Sequence, residues 1–254
     1  MSRIVAAVRP RPGDALVEIG PGLGALSVPL LEAAGALAVV EIDRDLAAAL
    51  RARASPGLVV HEADALDVPL ESLLPGAADA GAGGTGDGTA SRLRLVGNLP
   101  YNVGTPLVLR FAGHLSLIED VHVMLQKEVV ERLHAAPGAS ARGRLSIVVQ
   151  ACFDVAPLFD VEPGAFRPAP KVRSALVRLV PRPDAPDADA LAALTLAARL
   201  AFANRRKTLR NNFRGALGPA ELEALDIAPG ARAETLDLDA FRRLGAALGA
   251  SGTR

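Results

Sequence analysis

Five short apolar runs, three of them followed by residues with helical spacing, constrain this chain more than any other feature. They are ALVEIG (15–20), ALAVVEID (36–43), LVVHEAD (58–64), RLRLVGNL (92–99) and VHVMLQ (121–126). The stretches LSVPLLEAAG, RDLAAALRARA and KEVVERLHAA that accompany them repeat apolar residues three and four apart. A continuous apolar strand has to be covered on both faces, and helices crossing between parallel strands supply that cover. The expectation is an α/β fold on a Rossmann-like, mostly parallel sheet.

The pattern changes after residue 144. LSIVVQACFDVAPLFDV (145–161) and SALVRLVP (174–181) read as two β-rich runs with no long helix between them, a hairpin pairing antiparallel at one sheet edge. RPDAPDADA (182–190) reads as a linker, and from LAALTLAARLAFANRRKTLRNNF onward the character is helical. This gives a domain at 1–183 and a small helical domain at 184–254. PGAADAGAGGTGDGTAS (75–91) is a Gly/Ala loop with no core-forming residues and no assigned function.

Several classes are excluded. No apolar run approaches the roughly 18 residues that a bilayer span needs, and MSRIVAAVRPRPGD is too short in apolar residues for a secretory signal. The single cysteine, Cys152, rules out an internal disulfide framework and the usual zinc sets, and reads as a small buried hydrophobe. A soluble, monomeric cytoplasmic protein without a metal is expected. Net charge is zero but uneven: residues 1–98 carry 8 Lys/Arg against 12 Asp/Glu, and residues 99–254 carry 20 against 16. Within 199–214, RLAFANRRKTLRNNFR holds six basic residues and no acid, either a solvated helix face or a surface for phosphate backbones.

The chemistry gathers where strands end. VEIGPGLGALS puts Gly20, Gly22 and Gly24 between the first strand and its helix, where glycine lets a ligand approach backbone and helix N–H groups. Glu41 closes the second strand 21 residues after Gly20, at the position of an acid that grips ribose hydroxyls. Gly20, Gly22 and Ala25 also satisfy G-x-G-x-x-G/A, so a nicotinamide or flavin enzyme stays open. Asp64 ends the third strand, where its carboxylate can accept from an adenine amino group, while Asp67 reads as a turn cap. The fourth strand ends in NLPY (98–101), an amide, a stiff turn and an aromatic face at one point. Four polar or glycine-bearing strand ends aimed at one carboxyl edge mark a ligand site.

EIGPGLGALS, VVEID and EADAL resemble the S-adenosylmethionine motifs of Rossmann-like class I methyltransferases, and NLPY resembles the [ND]-[PIL]-P-[YF] motif of enzymes that methylate exocyclic amines. GNLPYNVGTPLVLRF, MLQKEVVERL, GRLSIVVQ, FRPAPKVRSALVRL and FANRRKTLRNN resemble, in order, the stretches of the ribosomal RNA adenine N6-dimethyltransferases. The resemblance runs from about residue 4 to 247. The family's N-terminal Gly-Gln-[HN]-Phe-Leu arm is not in this sequence, and MSRIVAAVRP matches its first helix.

The resemblance implies an S-adenosylmethionine-dependent enzyme that dimethylates two adjacent adenosines near the 3′ end of small-subunit ribosomal RNA, on the small subunit or its precursor particle. It implies cofactor contacts at Glu18, Gly20, Gly22, Gly24, Glu41, Asp64, Ala65 and Asn98, with Glu18 shaping the glycine loop rather than reacting. It implies a target-base site at Asn98, Leu99, Pro100 and Tyr101, with Phe166 stacking from the other side. It implies RNA contacts at Arg205, Arg206, Lys207 and Arg210. The rivals are a large-subunit adenine methyltransferase of the resistance type and a non-catalytic RNA-binding assembly factor on the same fold.

Overall fold

The computed structural model describes residues 1–53, 55–75, 92–100, 102–162, 164 and 172–251. A short helix, α1 (Ser2–Val8), leads into β1 (Ala15–Ile19), α2 (Ser27–Ala34), β2 (Leu37–Glu41), α3 (Arg44–Ala52) and β3 (Leu58–Glu62). Then follow β4 (Leu93–Asn98), α4 (Gly104–Ala112), β5 (Ile118–Gln126), α5 (Lys127–Leu133), α6 (Arg144–Cys152), β6 (Phe153–Val161) and β7 (Ser174–Pro181). The chain ends in α7 (Ala188–Ala201), α8 (Leu209–Asn212), α9 (Pro219–Ala224) and α10 (Leu238–Ser251).

The strands form one seven-stranded sheet in the order β3-β2-β1-β4-β5-β7-β6. β1 pairs parallel with β2 and β4, β2 with β3 and β4 with β5, whereas β7 runs antiparallel to β5. Every residue of β1 is buried, as a strand covered on both faces requires. The chain builds outward from β1 to β3 on one side and from β4 to β5 on the other, so the order reverses between β1 and β4. In open α/β sheets that reversal opens a crevice at the carboxyl ends of the two strands.

Compactness divides the chain into Met1–Lys127 with Ala156–Pro181, and Glu128–Val155 with Arg182–Arg254. The first unit packs α1 and α2 on the sheet through Ile4, Val8, Leu16, Leu30, Val39 and Val96. The second has its own core, in which Ile147, Val148 and Ala151 of α6 meet Leu194 and Ala198 of α7, Phe213, and Phe241 and Leu244 of α10. Phe202 and Phe241 stack there with ring centroids 5.8 Å apart. Residues 128–155, grouped with the first domain on composition, are therefore compact with the C-terminal helices.

One expectation is corrected. LSIVVQAC is not strand but helix α6, and only Phe153–Val161 of that run is β. Ser146, Ile147, Val148, Val149, Ala151 and Cys152 are all buried, so the helix has almost no polar stripe to reveal a period of 3.6. The Ser146 hydroxyl accepts from the Gly143 N–H at 3.0 Å, which starts the helix. Burial pushes the Cys152 thiol up to about 11, so it stays protonated and inert at neutral pH.

Candidate cofactor and target-base site

Register alone brings the predicted strand ends together. Ile19 lies opposite Val40 on one side and Gly97 on the other, so Gly20, Glu41 and Asn98 leave adjacent strands side by side at the crevice. Glu41 pairs with Glu62, and the Ala63 N–H donates to the Glu41 carbonyl at 3.0 Å, which brings the 64–68 loop to the same edge.

The glycine loop is held from three directions. Gly20, Gly22 and Gly24 have φ of 66°, 57° and 79°, the left-handed region that side chains with a Cβ disfavour. The Gly20 N–H donates to the Val40 carbonyl at 2.9 Å, and Arg53 Nη1 donates to the Leu23 carbonyl at 2.7 Å. The Glu41 carboxylate accepts from the Gly22 N–H through Oε2 and from the Asp43 N–H through Oε1, both at 3.0 Å. Each carboxylate oxygen keeps a second lone pair, which suits it to accept from ribose hydroxyls as well. At Gly20 and Gly22 an added Cβ would meet nothing within 4 Å, so this backbone is open to close approach.

Beneath the loop, Glu18 is only 2% exposed and accepts from the Ser27 hydroxyl at 2.5 Å. Burial pushes its carboxyl up to about 7; the Ser27 hydrogen bond opposes this and the nearby Glu41 charge adds to it. Once ionised, a carboxyl at that position favours a positively charged ligand at the loop.

Asp64 lies two residues beyond the end of β3 rather than on it. Its Oδ1 accepts from the Leu66 N–H at 2.8 Å, and its carbonyl accepts from the Asp67 and Val68 N–H groups at 3.0 and 2.9 Å. This is a tight Asx-type turn. It presents the second Asp64 oxygen and the Ala65 N–H, neither of which has a hydrogen bond among the described residues.

NLPY closes the site. The Asn98 side chain is exposed, whereas Leu99 is buried and its N–H donates to the Met124 carbonyl at 3.3 Å. The Pro100 carbonyl accepts from the Val103 and Gly104 N–H groups, both at 3.1 Å, starting α4. The motif's two carbonyls thus differ: that of Pro100 is spent on the turn, and that of Leu99 has no donor among the described residues. Gly97 matters in a way the sequence did not signal. A Cβ there would lie 2.8 Å from the Ile19 carbonyl oxygen, so glycine lets β4 lie close to β1 directly under the motif. Tyr101 and Phe166 lie outside the described residues.

The predicted RNA contacts sit in the second unit, on the turn between α7 and α8 and on α8 itself, not along one helix face. Arg205 donates through Nη2 to the carbonyls of Ser140 and Arg142, at 2.6 and 3.0 Å. Arg206, Lys207 and Arg210 are exposed, with no side-chain hydrogen bond or ion pair among the described residues. Arg210 and Arg214 also line a cavity of about 470 Å³ with Asn211 and Glu221. Among the described residues no group of three or more His, Cys, Asp or Glu is placed to hold a metal, and no helix is long and apolar enough to cross a membrane.

A family model described as ribosomal RNA adenine dimethylase matches residues 1–246. Ribosomal RNA small subunit methyltransferase A of Acidithiobacillus ferrooxidans is 50% identical, over 100% of this chain and 91% of its own length. Its namesake from Xanthomonas oryzae is 47% identical, over 96% and 89%. Among solved structures, a dimethyladenosine transferase from Plasmodium falciparum superposes with a TM-score of 0.77 at 25% identity, covering 96% of this chain and 92% of that one. The 23S rRNA methyltransferase ErmE gives 0.64 at 25% identity, covering 97% and 96%. The glycine loop, the acid closing β2 and the amide-bearing turn after β4 are this fold's strand-end chemistry, and the chain belongs to the ribosomal RNA adenine dimethylase family.

Proposed function

We propose that this chain is an S-adenosylmethionine-dependent ribosomal RNA adenine dimethyltransferase acting on small-subunit RNA. Two adjacent adenosines near the 3′ end are its targets, it acts as a cytoplasmic monomer, and the small subunit or its precursor is the particle it meets. Relatives named as small-subunit methyltransferases at 47–50% identity support the substrate, and family membership sets aside the nicotinamide reading.

The observation that carries the chemistry is the division of labour within NLPY. An adenine N6 is a poor nucleophile because its lone pair is delocalised into the ring. Bound S-adenosylmethionine supplies an electrophilic methyl on a sulfonium. The Asn98 side-chain oxygen and the Leu99 carbonyl accept the two amino hydrogens, draw the nitrogen toward tetrahedral geometry and turn its lone pair out of the ring. Pro100 fixes φ and commits its own carbonyl to the turn, leaving the Leu99 oxygen free to accept. Tyr101 and Phe166 are assigned to stack on the flipped base. The methylated nitrogen is acidic enough to shed a proton without a strong base, so positioning and electrostatics supply the rate. Two acceptors also match two rounds: the monomethyl amine still donates once, and the dimethyl amine no longer donates, which favours release.

Asn98→Ala is expected to lower methyl transfer by about 10²–10³-fold while S-adenosylhomocysteine affinity, measured by calorimetry, stays within about threefold. Loss of cofactor affinity in parallel with activity would remove the acceptor role assigned to Asn98.

A further inference from the structure

The loop after β3 is closed on itself by Asp64 and, among the described residues, hydrogen-bonded from outside by one distant side chain. Arg110, in the last turn of α4, donates through Nη1 to the Ala65 carbonyl at 2.6 Å and through Nη2 to the Val68 carbonyl. No other side chain outside the 64–68 loop hydrogen-bonds to it among the described residues. Arg110 has no carboxylate partner there either, so its planar fork is given over to two backbone carbonyls 42 and 45 residues away. Helix α4 starts at the turn made by NLPY, so one rigid element carries the target-base motif at one end and holds the adenine-side loop at the other.

That loop offers an acceptor, the outer Asp64 oxygen, beside a donor, the Ala65 N–H. Adenine presents the complement, an amino donor at C6 and an acceptor at N1. Hypoxanthine reverses both, with a carbonyl at C6 and an N–H at N1. Reading that edge requires the Asp64 carboxylate and the Ala65 N–H to be held in place. Arg110 holds the carbonyl of the Ala65–Leu66 peptide, whose N–H fixes Asp64 Oδ1. The Asp64 carbonyl, on the same peptide as the Ala65 N–H, accepts from Asp67 and Val68 within the turn that Arg110 clamps. We propose that Arg110 is a positioning residue that sets the adenine-reading edge of the cofactor pocket and so determines which nucleoside the pocket accepts. This rests on the assignment of Asp64 and Ala65 to the cofactor's base.

The test is calorimetric titration of the full chain with S-adenosylhomocysteine and S-inosylhomocysteine, for the parent, Arg110→Met and Arg110→Lys, each checked for an intact thermal transition. The parent should prefer the adenosyl compound by about 100-fold, since mismatched buried donors and acceptors are left unpaired. Arg110→Met should lose about tenfold or more in adenosyl affinity with inosyl affinity within about twofold, cutting the preference to about tenfold or less. Arg110→Lys, which can restore one of the two hydrogen bonds, should fall between them. Equal loss for both compounds, or no loss for either, would overturn the proposal and leave Arg110 a stabilising contact. A parent that binds both equally would overturn the adenine-edge assignment itself, and the proposal with it; Asp64→Ala would then also bind both as the parent does.

Discussion

At the scale of single residues, the site depends on polar groups held where burial alters their chemistry. Glu18 shows this most directly. An ordinary carboxyl of its type loses its proton near 4.5, whereas burial holds that of Glu18 up to about 7 in the fold. Between those values the folded chain keeps a proton that the unfolded chain has released. Its contribution to stability is therefore fully present below about 4.5, is lost as pH rises through about 7, and is constant above that. The swing is up to about 3 kcal/mol. Glu18→Gln is expected to match the parent at pH 4 and to be the more stable of the two at pH 8, as read by denaturant unfolding across pH. A constant difference at all pH values would contradict the buried carboxyl's role. Cofactor affinity of the parent should rise through the same window, because the ionised form favours a cation.

At the scale of elements, the strand ends and the turn into α8 are assigned separate tasks. Arg205 is engaged with carbonyls of its own unit, while Arg206 and Lys207 on the same turn are exposed and unpaired among the described residues. Arg206→Glu with Lys207→Glu is expected to weaken binding to small-subunit RNA and to reduce the slope of log affinity against log salt by about 1–2. Filter binding at several salt concentrations reads this, and an unchanged slope would return the turn to a solvated surface. Much of this was legible in sequence. The glycine loop, Glu41 and NLPY announce themselves because each needs a special residue type at a fixed offset from an apolar run. Helix α6 was hidden because IVVQAC is buried on nearly every face and β-branched. Arg110, Arg53 and Gly97 were hidden for another reason: their partners lie far along the chain or across the sheet, where no local spacing reports them.

At the scale of the molecule, the two edges of the sheet are used differently. The carboxyl edge holds the candidate site, and the amino edge holds a buried charge cluster. Arg94 at the start of β4 pairs with Asp14 before β1 at 2.6 Å and with Asp120 on β5 at 3.1 Å. It also donates to the Val8 and Arg9 carbonyls at the end of α1, and Arg178 of β7 reaches Asp120 at 3.2 Å. Burial alone would raise the Asp120 pKa, but His122 and Arg94 outweigh it and hold the carboxyl well below the usual carboxylate range. A depressed pKa contributes stability above the unfolded value of 3.8 that is lost as pH falls below it. Asp120→Asn is expected to cost about 3–5 kcal/mol at pH 7, because it leaves a buried guanidinium short of a partner. The difference from the parent should shrink below about pH 4. A variant as stable as its parent at pH 7 would show the cluster to be neutral.

Small ribosomal subunits lacking dimethyladenosine, with large subunits in parallel, should be incubated with this chain and S-adenosylmethionine, and N6,N6-dimethyladenosine quantified by nucleoside mass spectrometry. Product confined to the small subunit, and absent with Asn98→Ala, is the predicted result. Product in the large subunit, or in neither, would contradict it.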